Sequence, residues 1–440
     1  MVNQALARQL AGSIRTHRLE DATFAVALSG GIDSMVLLHL MRHALKLPPS
    51  RLGAIHINHR ISPAAAAWAT HCRRHCRELG VPLRVHKVEV VHGNSTEAAA
   101  RDARYRVFAN SAASVIALAH NRDDQSETVL LQLLRGAGPR GLAAMPEFRA
   151  GRPALWRPLL EVPRADIAAY ASRHRLSWVE DESNTDTGYT RNFLRHQVLP
   201  LIGQRLPGAA VVLARGARLQ AEAALLLDDL ARIDLDHGSD DTLRVAVLAR
   251  LPVPRARNAL RYHLRRHGLV MPDASRLDEL LRQLLESRDD ARLRIDLGGY
   301  SARRFRGELH LVQQLPPLKA AYMRQWNGRG LLPLPELGGT LRMVRTAQGG
   351  LAGRWLRTLT VQGRDGGERL QIHAGASRRT LRNLLREAAL PPWQRERLPL
   401  LFVGSRLAAV PGIGVDVEFQ AQAGRAGWLP QWRVQPAAGA

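Results

Sequence analysis

Lysine is scarce in this chain, where it occurs only at Lys46, Lys87 and Lys319 among 440 residues. Almost all of the positive charge is therefore arginine, and the formal net charge still reaches +24 at pH 7. Residues 1–215 hold 28 basic and 17 acidic side chains, and residues 216–440 hold 35 and 22. Because the planar arginine fork suits phosphate, this composition favours a nucleic acid that touches both halves over a merely solvated basic surface.

Long apolar runs are also missing. No run approaches the roughly 18 residues that cross a bilayer, and the N-terminus, MVNQALARQL, has no apolar signal core. The positive charge is spread over the chain and does not concentrate in one basic amphipathic helix, which argues against a membrane surface. We expect no membrane partner and a cytoplasmic location, whereas the sequence does not predict the oligomeric state.

Cysteine occurs twice, at Cys72 and Cys76, in the helix-like stretch HCRRHCREL. Together with His71 and His75 the two thiols could imitate a metal cluster. No second cysteine or histidine pair stands at a recognised metal-ligand spacing. The favoured interpretation is therefore helix packing, with the histidines facing solvent.

Strand-like and helix-like patterns alternate from Phe24 to about Pro200. This alternation predicts a doubly wound parallel sheet of the α/β class in a catalytic domain over residues 1–215. The predicted strands are FAVALS, RLGAIHIN, LRVHKVEV and SVIALAH. The predicted helices are DSMVLLHLMRHALKL, AAAAWATHCRRHCREL, STEAAARDARYRVFANSAA and DDQSETVLLQLLRGA.

The remaining chain reads as three further segments. Residues 216–315 show helical patterns followed by strands and predict a mostly helical middle domain that binds the large substrate. Residues 316–354 are rich in proline and glycine and predict a linker with some strand. Residues 355–440 predict a small α+β C-terminal domain, which contains the helix-like stretch SRRTLRNLLREA.

The stretch SGGIDS, residues 29–34, stands between the first predicted strand and a helix. In a doubly wound sheet, ligands bind at the carboxyl ends of strands, where helix N-termini supply free N–H donors. Glycines allow close approach of an oxyanion, serine hydroxyls add donors, and Asp33 is able to hold Mg²⁺. The Walker A pattern GxxxxGK[ST] is absent, so this is a phosphate loop without its usual lysine.

SGGIDS in this position resembles the loop of the PP-loop, or N-type, ATP pyrophosphatases, which split ATP between the α- and β-phosphates. That resemblance implies ATP and Mg²⁺ as cofactors and explains the missing lysine. His56 and His120 each follow a predicted strand at the same sheet edge and join the predicted nucleotide site. Taken alone, they and His59 would more often be structural histidines, and their shared position at strand ends favours a role in the site. The predicted nucleotide-binding residues are Ser29, Gly30, Gly31, Ile32, Asp33, Ser34, His56 and His120.

Further motifs narrow the resemblance to the bacterial tRNA(Ile)-lysidine synthases. It covers about residues 20–205 and again 355–420, while the middle block is compatible but carries no sharp motif. HINHRIS lacks the leucine-arginine that the family often shows after its histidine, so the role of Arg60 stays open. The motifs are HINHRIS, TEAAARDARY, LAHNRDDQSETVLLQLLRGAGPRGL, the stretch from RPLLEVPRAD to TRNFLRHQVLPLI, and GERLQIHAGASRRTLRNLLREAALPPWQRERLPLLFVG.

The resemblance implies a ligase. ATP would adenylate the C2 carbonyl oxygen of the wobble cytidine in an isoleucine tRNA with a CAU anticodon. The ε-amino group of free L-lysine would then displace AMP, and the product would be lysidine. Arg101 or Arg104 would stabilise charge on the α-phosphate. Asp124 and Glu127 would bind the lysine ammonium and take its proton, although with Asp123 they could simply complement a helix dipole.

Two arginine groups are candidates for tRNA contacts. Arg191, Asn192 and Arg195 follow Asp181, Ser183 and Asn184 in an order that resembles the family's DxSN…RNxxR pattern, although they could form an ordinary solvated stripe. The second group could follow phosphates along a helix, and Trp393 nearby could stack or pack. It comprises Arg378, Arg379, Arg382 and Arg386.

Three rival classes remain for comparison. A PP-loop tRNA thiolase needs reactive cysteines, and the chain has no CxxC pair. An amidotransferase-type ligase needs a glutaminase block, which is not visible, and has no use for a net charge of +24. A non-catalytic RNA-binding protein would not need the complete SGGIDS motif.

Overall fold

The computed structural model describes residues 2–60, 62–89, 96–235, 242–287, 293–318 and 322–434. The chain divides into two compact units, Met1–Leu226 and Leu227–Ala440. Among the described residues, no single helix is long and apolar enough to span a membrane. One pair, Thr190–Arg205 with Ala209–Asp234, reaches that length and composition only when its two parts are taken together across a 102° bend.

The first unit is built on a six-stranded sheet. Its strands are β1 (Phe24–Ala27), β2 (Leu52–Asn58), β3 (Leu83–Lys87), β4 (Val115–Ala117), β5 (Phe148–Arg149) and β6 (Ala154–Trp156). Their order is β3-β2-β1-β4-β6-β5, and all neighbours are parallel except β5, which is antiparallel to β6. The predicted α/β class and parallel sheet are confirmed.

Helices surround this sheet. They are α1 (Val2–Thr16), α2 (Ile32–His39), α3 (Ala65–Glu78), α4 (Thr96–Ala109), α5 (Arg122–Leu134), α6 (Pro139–Leu142), α7 (Arg164–Arg173), α8 (Thr190–Phe193), α9 (Leu199–Arg205) and α10 (Ala209–Asp234). Short π-helical turns extend α2 over Leu40–Ala44 and join α8 to α9 over Leu194–Val198, and a 3₁₀ turn covers Glu182–Thr185. Strands and helices of this unit pack through two apolar clusters; in the larger one, Phe24 meets Trp156 with ring centroids 5.5 Å apart.

The strand order creates one crevice at the carboxyl edge of the sheet. From β1 the chain crosses to β2 on one side, and the later strand β4 pairs with β1 on the other. The connections after these strands therefore run to opposite sides of β1, and this leaves a gap between the loops that follow β1 and β4. Ligands bind in such a gap in this class of fold. The SGGIDS loop follows β1, and the His120–Asn121 pair follows β4.

The second unit begins with helices and a small sheet. The helices are α11 (Val245–Arg250), α12 (Val253–Arg266) and α13 (Ala274–Glu286), and the strands are β7 (Leu243–Arg244), β8 (Arg294–Asp296), β9 (Tyr300–Phe305) and β10 (Glu308–Gln313). The sheet is antiparallel in the order β7-β10-β9-β8. Leucines at helical spacing on α13 form its buried face, namely Leu277, Leu280, Leu281 and Leu284.

The rest of the second unit is mainly antiparallel sheet. Its strands are β11 (Met323–Trp326), β12 (Leu331–Leu334), β13 (Gly339–Thr346), β14 (Leu359–Gln362), β15 (Arg369–Leu370), β16 (Arg379–Thr380), β17 (Leu400–Val403), β18 (Arg406–Val410), β19 (Gly414–Val415) and β20 (Gly427–Val434). The sheet orders are β11-β14-β17-β18-β19, β12-β13-β20 and β15-β16. The helices are α14 (Leu381–Glu387) and α15 (Pro392–Glu396), with 3₁₀ turns at Gly353–Thr358 and Val417–Phe419.

The segment 316–354 differs from the predicted linker. Strands β11, β12 and β13 lie within it. Strand β11 pairs with β14, and β13 pairs with both β12 and β20. Pro333 lies in β12, an edge strand, where a missing N–H is tolerated. At Gly339, a Cβ would lie 2.3 Å from the Arg433 carbonyl oxygen, so close strand approach requires this glycine. Proline and glycine therefore mark sheet edges and close contacts here.

The helix predicted over SRRTLRNLLREA is also shorter than expected. It begins at Leu381, and Arg379 belongs to β16. Arg378 and Arg379 therefore do not share a helix with Arg382, which corrects the predicted helical row of arginines.

Candidate active site

The loop between β1 and α2 is shaped by its own side chains. Gly30 has φ +94°, and a Cβ there would lie 2.8 Å from Val179 Cγ2, so only glycine fits. The Gly30 N–H donates to Ser34 Oγ at 3.3 Å, and Ser34 Oγ donates to the Gly31 carbonyl at 2.9 Å. The Gly31 N–H donates to Ser29 Oγ at 3.2 Å. No side chain caps α2, so its first N–H groups remain available to an anion.

Asp33 connects this loop to the loop after β4. Asn121 Nδ2 donates to Asp33 Oδ1 at 2.9 Å, so the two loops meet across the crevice between β1 and β4. Burial, and then the negative charge of Asp124, raise the pKa of Asp33. A carboxylate that is desolvated, lies near another carboxylate and is bonded by a neutral amide is suited to a divalent cation, because the cation would offset both unfavourable effects.

Asn121 also begins α5. Its side-chain oxygen accepts the N–H groups of Asp123 and Asp124 at 2.9 and 3.1 Å, while Asp124 Oδ2 accepts the Asn121 N–H at 3.0 Å. This reciprocal capping fixes the orientation of both side chains. The same asparagine therefore positions Asp33 and starts the helix that carries Glu127.

Four charged side chains form what we call the α5 charge cluster: Asp124, Glu127, Arg191 and Arg195. Arg191 Nε donates to Glu127 Oε2 at 2.7 Å, and Arg195 Nε donates to Glu127 Oε1 at 2.5 Å. The terminal nitrogens of Arg191 and Arg195 reach Asp124 Oδ1 at 3.2 and 2.8 Å. The side chain of Glu127 is only 1% exposed, so the arginines neutralise a buried carboxylate.

The cluster gives the predicted residues a definite arrangement. Arg191 and Arg195, predicted to face RNA or the site, lie against the two acidic residues predicted to bind lysine. Asn192 Nδ2 donates to the Asp186 carbonyl at 2.9 Å, so it fixes the turn before α8. The sequence did not indicate these ion pairs.

Three histidines lie at the carboxyl ends of the strands beside β1: His56 within β2, His59 just after β2, and His120 after β4. His56, in β2, makes a 2.8 Å hydrogen bond through Nδ1 to the Leu28 carbonyl, and burial lowers its pKa. Burial also lowers the pKa of His120 to about 4. The Nδ1 atoms of His59 and His120 are buried and have no hydrogen-bond partner within the described parts of the chain. These rings are therefore polar but neutral at physiological pH.

The two arginines of α4 lie in different surroundings. The guanidinium of Arg101 stands over the Tyr105 ring, 5.4 Å from its centroid. The charge of Arg104 contributes, after burial, to the lowered pKa of His59 and is among the weaker causes at His120. Arg104 is thus the one whose charge reaches the strand-end histidines.

The sequence of this chain is similar to known families and proteins over most of its length. Residues 2–202 match the PP-loop domain, residues 243–310 the TilS substrate binding domain, and residues 359–434 the TilS substrate C-terminal domain. A tRNA(Ile)-lysidine synthase of Nitrosomonas europaea is 41% identical over 418 residues, which cover 92% of this chain and 91% of that protein. A synthase of Chromobacterium violaceum is 43% identical over 93% of this chain and 95% of that protein. A synthase of Coxiella burnetii is 39% identical over 94% of this chain and 94% of that protein.

The chain belongs to the tRNA(Ile)-lysidine synthase family. The predicted resemblance is confirmed, and so is the class of enzyme, an ATP-dependent ligase. None of the three rival classes accounts for similarity over nine-tenths of the chain.

In this tRNA(Ile)-lysidine synthase family member, the two cysteines are packed inside the first unit. Cys72 and Cys76 are buried and free, and burial raises the pKa of their thiols to about 12 and about 11. His71 and His75 each place Nε2 close to the Ser177 carbonyl, at 3.2 and 3.1 Å. Protonated, buried thiols are poor nucleophiles. Within the residues that the structure describes, no three metal-ligating side chains form a cluster.

Sequence reasoning did not single out three polar residues that lie beside the candidate residues, Asn121, Arg122 and Arg164. The capping pattern N-x-x-D over Asn121–Asp124 was a usable signal for the first. Arg122 and Arg164 gave none, because an arginine that begins a helix usually has no special role. They line a cavity beside the α5 charge cluster.

Two of the arginines predicted to contact tRNA in the second unit, Arg378 and Arg379, form ion pairs with acidic side chains. Arg378 donates to Asp416 Oδ1 at 3.2 Å, and Arg379 is bonded to Glu387. Arg382 is exposed on α14. Trp393 is half-buried against Arg303, His310 and Phe305, with centroid distances of 5.2, 5.4 and 5.9 Å.

Proposed function

We propose that this chain joins L-lysine to C2 of the wobble cytidine in an isoleucine tRNA with a CAU anticodon. ATP would adenylate the C2 oxygen and release pyrophosphate, and lysine would then displace AMP to give lysidine. The observation that carries the proposal is the similarity to tRNA(Ile)-lysidine synthases over nine-tenths of the chain. Because ATP, lysine and tRNA are cytoplasmic, we place the reaction in the cytoplasm.

The SGGIDS loop would hold the nucleotide. The free N–H groups that begin α2 are suited to the pyrophosphate oxygens, and the Ser29 hydroxyl would add a donor. Ser34 would hold the loop in shape through its bond to the Gly31 carbonyl. Asp33 would hold Mg²⁺, which supplies charge neutralisation on the phosphates when bound. His56 and His120 would offer neutral hydrogen bonds beside the nucleotide.

Negative charge on the α-phosphate needs a cation as the bond to pyrophosphate lengthens. Arg104 is the better placed of the two predicted arginines, since its charge reaches the histidines at the carboxyl edge of the sheet. Arg101, whose guanidinium lies over the Tyr105 ring, would add a second positive charge.

Asp124 and Glu127 remain our candidates for the lysine ammonium. A carboxylate has about four lone-pair sites. Glu127 accepts three bonds from the two arginines, and Asp124 accepts three from the arginines and the Asn121 N–H. Each carboxylate therefore keeps room for about one ammonium N–H, and Asp124 is the more accessible, with a side chain 14% exposed. Lysine, with an ordinary pKa of about 10.4, must also lose a proton before it attacks.

The tRNA would be held by arginine in both units. The side chains of Arg191 and Arg195 are 29% and 22% exposed, so each guanidinium could bind an RNA phosphate while it keeps its contacts in the α5 charge cluster. Asn192, which lies between them in the sequence, would contact the RNA beside them. In the second unit we propose Arg378, Arg379 and Arg382.

The proposal is tested with purified full-length protein, ATP, Mg²⁺, labelled lysine and either an isoleucine tRNA with a CAU anticodon or a methionine tRNA with the same anticodon. We expect label to enter only the isoleucine tRNA, with one AMP and one pyrophosphate formed for each lysine. Failure of label to enter a known CAU isoleucine tRNA would refute the proposal.

A further inference from the structure

A cavity of about 550 Å³ lies beside α5, in the first unit. This volume falls within the range of about 300–1,000 Å³ that small-molecule sites occupy. Asn121, which holds Asp33, lines one part of it, and Glu127 and Arg195 of the α5 charge cluster line another. The chain after α9 and the start of α10, Gly208–Val211, forms the opposite wall.

The acidic groups of this cavity are already engaged. Glu127 is neutralised by Arg191 and Arg195. Asp123 Oδ2 accepts the backbone N–H of Arg164 at 2.9 Å, beside the N-terminus of α7. Both carboxylates are therefore bonded to groups other than the Arg122 side chain, and Glu127 keeps about one acceptor site.

Arg122 contributes to this cavity a guanidinium nitrogen that lacks a hydrogen-bond partner among the described residues. This nitrogen, Nε, is buried. Arg164, with an exposed side chain, adds a second positive charge to the same lining. A buried donor that lacks a partner is unfavourable, so an anion that reached Arg122 would gain a charge-assisted hydrogen bond.

The spacing of the two ends suits a free amino acid. Arg122 and Glu127 both line the cavity and are five residues apart on α5, about 7.5 Å along the helix axis and about 140° around it. The axial separation is comparable to the length of an extended lysine side chain. A cationic side chain and a carboxylate with about one open acceptor site in one cavity match the carboxylate and the ammonium of one molecule.

We propose that Arg122, assisted by Arg164, binds the α-carboxylate of the amino-acid substrate in this cavity. The inference rests on the proposed function, because it assigns a recognition site to the lysine of that reaction. Arg122 would distinguish an amino acid from a simple amine and would take no part in the adenylation step.

The test compares lysine with cadaverine, which has the same terminal amines but no carboxylate. In the full-length enzyme, Arg122→Gln should raise the KM for lysine about 10- to 100-fold, the expected loss of one charge-assisted bond. The kcat/KM for cadaverine should stay within about twofold, and tRNA-dependent pyrophosphate exchange should be retained. If cadaverine is not a substrate, its inhibition constant against lysine replaces kcat/KM. Arg122→Lys should recover part of the lysine KM.

Arg173→Gln, at the exposed far end of α7, is the matched control and should leave all of these values unchanged. Equal losses for lysine and cadaverine would show that Arg122 only supports the fold, and the inference would be wrong. A rise in the KM for tRNA with a shallower salt dependence, at unchanged lysine KM, would assign Arg122 to an RNA phosphate and would also overturn it. If the wild-type enzyme forms no lysidine, the proposed function itself fails, which is a different result.

Discussion

At the residue scale, Asp33 carries the largest share of the proposed nucleotide chemistry. Asp33→Asn keeps the shape and the contact with Asn121 but removes the charge that would hold Mg²⁺. We expect pyrophosphate exchange to fall by about 100-fold or more, since metal stabilisation of phosphate charge contributes several kcal/mol. Binding of tRNA, measured by filter retention, should change less than twofold. Near-wild-type exchange would remove Asp33 from the site.

Replacing Glu127 should impair the second half-reaction, the attack by lysine, and leave the first, adenylation, in place. In Glu127→Gln, two arginines lose the charge that neutralises them, so we expect a loss of about 1–3 kcal/mol in the free energy of unfolding, measured with urea. The KM for lysine should rise while pyrophosphate exchange persists. Glu279→Gln, which breaks an exposed pair with Arg282, is the control and should alter neither quantity. Equal loss in both half-reactions would move Glu127 to the nucleotide side.

The sequence alone could place residues relative to one another where the motif is local, and could not do so where the contacts are distant. SGGIDS is contiguous, so its residues could be placed in one loop from the sequence alone. The pairs that link Arg191 and Arg195 to Glu127 span 64 and 68 residues, and no local pattern indicates them. Arg122 could not be recognised because its significance depends on a cavity wall contributed by Gly208–Val211.

At the scale of elements, the N-cap residue of α5, Asn121, contributes both to the stability of the helix and to the proposed catalysis. Asn121→Ala should cost about 1 kcal/mol through the lost cap and should also lower pyrophosphate exchange, because Asp33 loses its hydrogen bond. Asp273→Ala removes a comparable cap, on α13, without touching the site. Thermal denaturation should show similar losses for both variants, whereas exchange should fall only for Asn121→Ala. A similar fall in both would mean that exchange follows stability alone.

The elements themselves were predictable when their patterns were long. The four predicted strands of the first unit are present as β1–β4, and the four helices beside them as α2–α5. Strands β5 and β6, of two and three residues, are too short to show a period. The segment 316–354 was predicted as a linker because proline and glycine dominate it, but in an edge strand such as β12 those residues cost little.

At the scale of the whole molecule, both halves of the chain are basic, with +11 in 1–215 and +13 in 216–440. We expect a fragment of residues 1–226 to retain ATP binding but to lose much of its tRNA affinity. Each lost phosphate contact should reduce the slope of log K against log salt by about 0.7 to 0.9. The fragment should also discriminate poorly between isoleucine and methionine tRNAs that share the CAU anticodon.

Titrations of tRNA at several salt concentrations check this expectation. Equal affinity, slope and discrimination in the fragment and the full chain would make residues 227–440 a stability or assembly module. The boundary at Leu226, inside α10, could not be read from composition, because the charge excess and the helical pattern both continue through it.

The most direct test of the central claim is the chemical identity of the wobble nucleoside after reaction. Isoleucine tRNA with a CAU anticodon is incubated with the protein, ATP, Mg²⁺ and isotopically labelled lysine, then digested to nucleosides and analysed by mass spectrometry. The account predicts that the wobble cytidine is replaced by a nucleoside with the mass of cytidine plus lysine less water, carrying the label, and only when ATP is present. An unmodified wobble cytidine, or label found at any other nucleoside, would contradict it.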